Sequence, residues 1–145
     1  MAEAYPKEKF DQYIARFNAE DHTAFEDFLH PQMHMMNGTL EYTGIEGMIH
    51  HYKVNIWPDF KEVLYVPRFV SDDKHIAIHM NTHFEARHDK EDSLFGPVKK
   101  GETFDFNGLI MYDLEDGLFK DIQVAYNSFV FTDVDGNKKD LGLPH

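Results

Sequence analysis

The chain has 145 residues, of which 42% are hydrophobic and 14% aromatic, with 13 Phe, and this is the composition of a packed globular protein rather than a disordered one. Against 26 Asp+Glu stand 14 Lys+Arg, a formal charge of −12 that repels phosphate backbones and anionic bilayers, so neither nucleic acid nor membrane is expected as a partner. The absence of Cys excludes disulfides, thiolate nucleophiles and Cys-based zinc sites. The start M-A-E-A-Y-P-K-E-K lacks the basic-then-apolar layout of a signal peptide, and no run approaches the ~20 apolar residues that span a bilayer. A soluble, cytoplasmic protein of one domain, residues 1–145, is the expectation.

From Pro6 to about Glu20, Phe10, Tyr13, Ile14 and Phe17 recur at helical spacing, with Pro6 suited to a first turn. Asp21 reads as the N-cap of a short helix carrying Phe25, Phe28 and Leu29 and stopped by Pro31. Gln32–Met36 and Thr39–Tyr42 read as strands about an Asn37-Gly38 hairpin turn. Thr43-Gly44-Ile45-Glu46 fits a capping box before a third helix with Met48, Ile49, Tyr52 and Ile56 on its apolar face. His50 and His51 lie off that stripe and read as surface residues.

After Asp59 the chain reads as long antiparallel strands. Phe60–Val70 comes first, and a polar turn at Ser71–Lys74 leads to His75–His88. A loop then precedes Thr103–Leu114, and Asp116-Gly117 turns the chain into Leu118–Phe131. This order predicts an α+β fold, a strongly curved antiparallel sheet wrapped around three N-terminal helices to form a cone with a small-molecule cavity.

The stretch His75–His88 alternates strictly. Ile76, Ile78, Met80, Thr82 and Phe84 share one face; Ala77, His79, Asn81, His83 and Glu85 share the other. Two imidazoles, a carboxamide and a carboxylate in one row either form a solvated face or line a pocket. For the final hairpin, Asp116-Gly117 as central turn residues places Tyr112 opposite Asp121, Ile110 opposite Gln123 and Phe106 opposite Asn127. The other face then carries Leu109 and Met111 with Ile122, Val124 and Tyr126. Both faces are apolar enough to need covering, and a second copy of the chain is the simplest cover for the outer one.

The hairpin L-I-M-Y-D-L-E-D-G-L-F-K-D-I-Q-V, together with the order and length of the elements, resembles the SnoaL-like family of the nuclear-transport-factor-2-like superfamily. Val70–His79 (V-S-D-D-K-H-I-A-I-H) is similar to a strand entry in scytalone dehydratase, of the same superfamily. The resemblance implies a homodimer through the outer sheet face. It also implies that the face bearing Asp121 is concave. That register sends Tyr112, Gln123 and Asn127 inward, with His79, Asn81, His83 and Glu85 on a neighbouring strand and Glu62 and Arg68 on the first long strand. The chain departs from scytalone dehydratase at Phe17-Asn18, Asn37 and Phe60, so only the cavity and its chemical style carry over.

Such an interior suits proton transfer. His83, beside Glu85 and facing Asp121, is the expected acid–base residue, with His79 further along the strand. Tyr13, Asn18, Asn37, Tyr112 and Gln123 can hold a carbonyl or enolate oxygen. Phe17 and Trp57, with Arg68, Asn81 and Asn127, complete the expected substrate-binding set. His79 and His83 are four residues apart on a strand, ~13 Å, too far to share one ion, so no metal is expected. No phosphate-cradling glycine loop occurs, and no cofactor is expected. The resemblance implies a cofactor-independent lyase or isomerase acting on a hydrophobic oxygenated molecule such as a polyketide or terpenoid intermediate. The alternative is a non-catalytic binding or interaction module.

Overall fold

The structure, a computed structural model, describes residues 3–142. Helix α1 (Lys7–Asn18) buries Phe10, Tyr13, Ile14 and Phe17, the stripe its spacing predicts. Helix α2 (Thr23–Phe28) starts beside Asp21, whose Oδ1 accepts the backbone N–H of Thr23 at 3.0 Å. Strands β1 (Leu29–Asn37) and β2 (Leu40–Thr43) pair about Gly38, at φ +61°. The expected capping box does not form. Gly44 takes the N-cap position of α3 (Ile45–His50) at φ +83°, and no side chain caps the helix. That left-handed turn is open to glycine, and the Gly44 N–H goes to Met33 O at 2.7 Å. Beyond α3 the chain continues as one π-helical stretch, His51–Ile56.

The remaining strands are β3 (Phe60–Ser71), β4 (His75–Ala86), β5 (Lys90–Ser93), β6 (Gly96–Val98), β7 (Thr103–Glu115), β8 (Leu118–Thr132) and β9 (Lys138–Asp140). The main sheet runs β2-β1-β8-β7-β4-β3, with β9 on β8, and β5–β6 form a separate hairpin. Every pairing is antiparallel except β1 with β8. This is the expected α+β plan, a curved sheet around helices. Phe10 of α1 meets Phe69, Tyr112 and Phe119 of the sheet at ring centroids of 5.3, 5.4 and 6.1 Å.

Bulges decide which side chains enter the cone. Leu114 faces Phe119 as the turn predicts, but Asp113 then faces Asp121, so Lys120 is an extra residue. Tyr112 therefore pairs with Ile122, Ile110 with Val124 and Gly108 with Tyr126, one residue away from the expected register. A second bulge leaves out Asn127, so that Asn107 faces Ser128 and Phe106 faces Phe129. On β3 a third bulge lies between Tyr65, opposite Asn81, and Arg68, opposite His79.

Candidate functional site

The alternation along β4 is as the sequence shows, but the expected inner and outer faces are exchanged. Ile76, Ile78, Met80, Thr82 and Phe84 are buried, Phe84 among Phe60, Phe95 and Phe106. Each large apolar side chain taken out of water favours folding by ~1.5–3 kcal/mol, and a row of polar groups offers no such gain. His79, Asn81 and His83 lie on the outer face, half-buried, and Glu85 is exposed there. His83 Nδ1 lies 2.6 Å from Asp105 of β7. Asn107 donates to His79 Nε2 at 2.9 Å and also bonds Asn81.

The hairpin bulge turns Asp121 and Gln123 outward as well. Asp121 meets His34 Nδ1 at 2.9 Å, and Glu41 meets the other ring nitrogen at 2.7 Å. Arg68 is exposed on the outer face and makes no ion pair with Asp121; Asn127 is exposed at its bulge. Asn18 is a clasp between α1 and β3. Its amide donates to Leu64 O at 3.0 Å, and its oxygen accepts the Leu64 N–H at 2.8 Å. Trp57 is buried among Phe17, Phe25 and Tyr52 rather than on a cavity wall. His51 is half-buried between Tyr42 and Tyr52, and burial lowers its imidazole to about 4, so it is not the surface residue expected.

Tyr13, Phe17, Asn37 and Tyr112 do share one interior cavity, and Glu62 joins them from β3. Strict alternation through Phe60, Glu62 and Leu64 delivers Glu62 to the core face, where it is 4% exposed. Its Oε1 has no hydrogen-bond partner among the described residues, and burial pushes its carboxyl up to about 8. The surrounding wall carries the phenols of Tyr13, Tyr42, Tyr52, Tyr112 and Tyr126 and the amide of Asn37, with apolar side chains between them. Tyr42 donates to Met48 Sδ at 3.0 Å, and Asn37 Nδ2 donates to the Tyr126 hydroxyl oxygen at 3.2 Å. Among the described residues no Lys, Arg or His lines this space. Its volume is about 40 Å³, so a ligand enters only if the wall moves.

Sequence reasoning put Glu62 inside but gave it no role. The available signal was a lone carboxylate amid the apolar alternation F-K-E-V-L, where a surface strand would place its charges on the other face.

The outer face bears a second, more open depression of about 700 Å³. Its apolar part is Met36, Val70, Leu109 and Met111, all exposed, with Arg68 and His79 alongside. Of the side chains expected there, Leu109 and Met111 are present. Ile122, Val124 and Tyr126 instead face the interior, carried there by the bulge at Lys120.

Among the described residues no cluster of His, Asp and Glu has the arrangement of a metal site, and no helix is long and apolar enough to cross a membrane. No protein-family model matches the chain, and no curated protein matches its sequence. Solved structures do. A putative polyketide cyclase from Silicibacter sp. TM1040 superposes with a TM-score of 0.68 at 19% identity, over 83% of this chain and 87% of that one. An LEH-like epoxide hydrolase of M. tuberculosis gives 0.65 at 9% identity, over 81% and 79%. A computationally designed 17-OHP binder gives 0.63 at 14% identity, over 88% and 92%. The chain therefore has the SnoaL-like, nuclear-transport-factor-2-like fold, a curved, mostly antiparallel sheet with a few helices.

Proposed function

We propose that this protein is a cofactor-independent lyase or isomerase that performs acid–base chemistry at Glu62 on an uncharged, hydrophobic, oxygenated small molecule, of the polyketide or terpenoid kind. One observation carries the reading. Glu62 is a buried carboxyl with an unpartnered oxygen, set in a cavity with no cation to neutralise it. Leaving such a group unpaired costs stability, and a carboxyl near 8 is poised for proton transfer at neutral pH.

At pH 7 about a tenth of Glu62 is ionised, by the logarithmic relation between pH and pKa. The carboxylate takes a proton from the carbon next to a carbonyl. The same carboxyl then returns it, to a more distant carbon in an isomerisation or to a departing hydroxyl, released as water, in an elimination. A lone shuttle needs no second base and no external reductant. The absence of Lys and Arg from the wall disfavours carboxylate and phosphate substrates. The outer depression fits the homodimer that the apolar face led us to expect, with Leu109 and Met111 at its centre.

The test is exchange of α-hydrogens for deuterium in a panel of uncharged cyclic and aryl ketones, followed by NMR. The wild-type protein should accelerate exchange in at least one ketone, and Glu62→Gln should abolish the acceleration. Exchange unaffected by Glu62→Gln removes the catalytic reading, and a ketone that binds without exchange favours the binding-module alternative.

A further inference from the structure

We infer that Tyr126, held in place by Asn37, donates the hydrogen bond that stabilises the substrate oxygen while Glu62 moves the proton. This rests on the catalytic reading above and adds the second half of the site. A proton leaving the carbon beside a carbonyl puts negative charge on the carbonyl oxygen, and a fixed donor aimed at that oxygen lowers the barrier.

Of the five phenols on the cavity wall, Tyr42 and Tyr126 alone have a hydrogen-bond partner among the described residues, and the two partners act in opposite senses. The Tyr42 hydroxyl spends its hydrogen on Met48 Sδ. Tyr126 is the one whose oxygen is already occupied as an acceptor, by Asn37 Nδ2 at 3.2 Å. Its own hydrogen has no acceptor among the described residues and is free for a ligand. A hydroxyl that accepts one hydrogen bond is polarised into a stronger donor. The Tyr126 ring is fixed by Phe106, at a centroid distance of 4.4 Å. Burial also keeps the phenol neutral, pushed well above its ordinary range, so it remains a donor rather than a second anion beside Glu62.

The backbone explains why these two side chains meet. The bulge at Lys120 shifts β8 by one residue and brings Tyr126 to the inner face, opposite Gly108. Asn37 ends β1, which lies parallel to β8 with Asn37 beside Val124, two residues from Tyr126. Asn37 makes no other side-chain hydrogen bond among the described residues, and with its amide on the phenol oxygen it acts as the positioning residue.

The experiment uses 4-nitrophenol, whose oxygen stands in for the enolate oxygen and whose absorbance moves to the visible on ionisation. Titration at about pH 6, below the Glu62 value, avoids repulsion by an ionised carboxyl. Tyr126→Phe, which removes one oxygen atom, should weaken binding about tenfold and lower the ionised fraction of bound probe, the scale of one strong hydrogen bond. Asn37→Leu removes the amide without adding a charge and should weaken binding in the same direction but by less, because Tyr126 loses its anchor and its polarisation. The double variant should lose no more than Tyr126→Phe alone. Losses that add, or a Tyr126→Phe protein that binds and ionises the probe like the wild type, overturn the assignment. If ketone exchange still depends on Glu62 in that case, the catalytic reading survives without Tyr126. A wild-type protein that takes up no probe and exchanges no ketone overturns both.

Discussion

Asp113 and Asp121 lie directly opposite one another across the β7–β8 pair, on the outer side of the sheet. Two carboxylates in that position repel. His34 relieves the repulsion, with Nδ1 on Asp121 at 2.9 Å and Nε2 on Glu41 at 2.7 Å. Hydrogen bonds donated to Glu41 and then to Asp121 raise its proton affinity above the ordinary imidazole value. A raised imidazole stabilises the fold fully below its unfolded value, ~6.5, and loses that contribution as the pH climbs through the folded one. His34→Gln should therefore lower the melting temperature more at about pH 5 than at about pH 9, and less in high salt. An equal loss at both pH values would mean that the ion pairs contribute nothing.

Glu62 acts on stability in the same direction as His34, over a wider span of pH. Its folded value, about 8, stands above the ordinary 4.5, so between those values the folded chain holds a proton that the unfolded chain has released. Stability from this group is complete below the unfolded value, falls as the pH rises toward the folded one, and is then level. At ~1.4 kcal/mol per unit the total is several kcal/mol. In urea titrations Glu62→Gln should gain on the wild type steadily from about pH 5 to about pH 8 and no further. A constant difference would show that the carboxyl is ionised in the fold.

For catalysis, Glu62→Gln should cut turnover of any ketone substrate by ~10²–10⁴-fold, the usual range for losing a proton-transfer group. His83→Ala removes the outer-face partner of Asp105 and should leave turnover within about twofold, a change too small for a lost general acid or base. The rate of a base-dependent step should rise with pH to a plateau above about 8. A large loss in His83→Ala would return the chemistry to the outer face.

Gly108 tests the bulge that builds the site. A Cβ on that residue would collide with the carbonyl oxygen of Ala125 and sit 2.8 Å from Cα of Tyr126, and both obstacles are backbone atoms. Gly108→Ala should cost ~1–3 kcal/mol, the range for overpacking, and should weaken 4-nitrophenol binding because Tyr126 lies opposite. A variant as stable as the wild type would indicate that β8 slides freely at this point.

The dimer prediction concerns the outer depression. Sedimentation at micromolar concentration should give twice 17.0 kDa, and Leu109→Asp should yield a folded monomer, because a buried unpaired charge in the interface costs several kcal/mol. A wild-type monomer, or a Leu109→Asp protein that still pairs, removes this face as the contact.

Much of this protein is local, and local features are legible. The Phe10–Phe17 stripe, the Asn37-Gly38 and Asp116-Gly117 turns and the alternation of β4 depend on near neighbours and on periodicities that the residues display directly. Which side of an alternating strand faces the core is not local. In β4 the face was settled by four large apolar side chains buried in the core, against a polar row that lies on the outer sheet surface. In β8 it was settled by one extra residue, Lys120, which a two-residue turn does not announce and which moves the side chains from Asp121 to Tyr126 to the opposite face, until the bulge at Asn127 shifts the register again. The sequence alone thus determined the order of elements and the presence of a polar strand. The tertiary structure decided that Glu62 and Tyr126, far apart in the chain, share an interior cavity while His79 and His83 stay on the outer face. A strand period of two determines which residues share a face, and only packing and bulges determine where that face points.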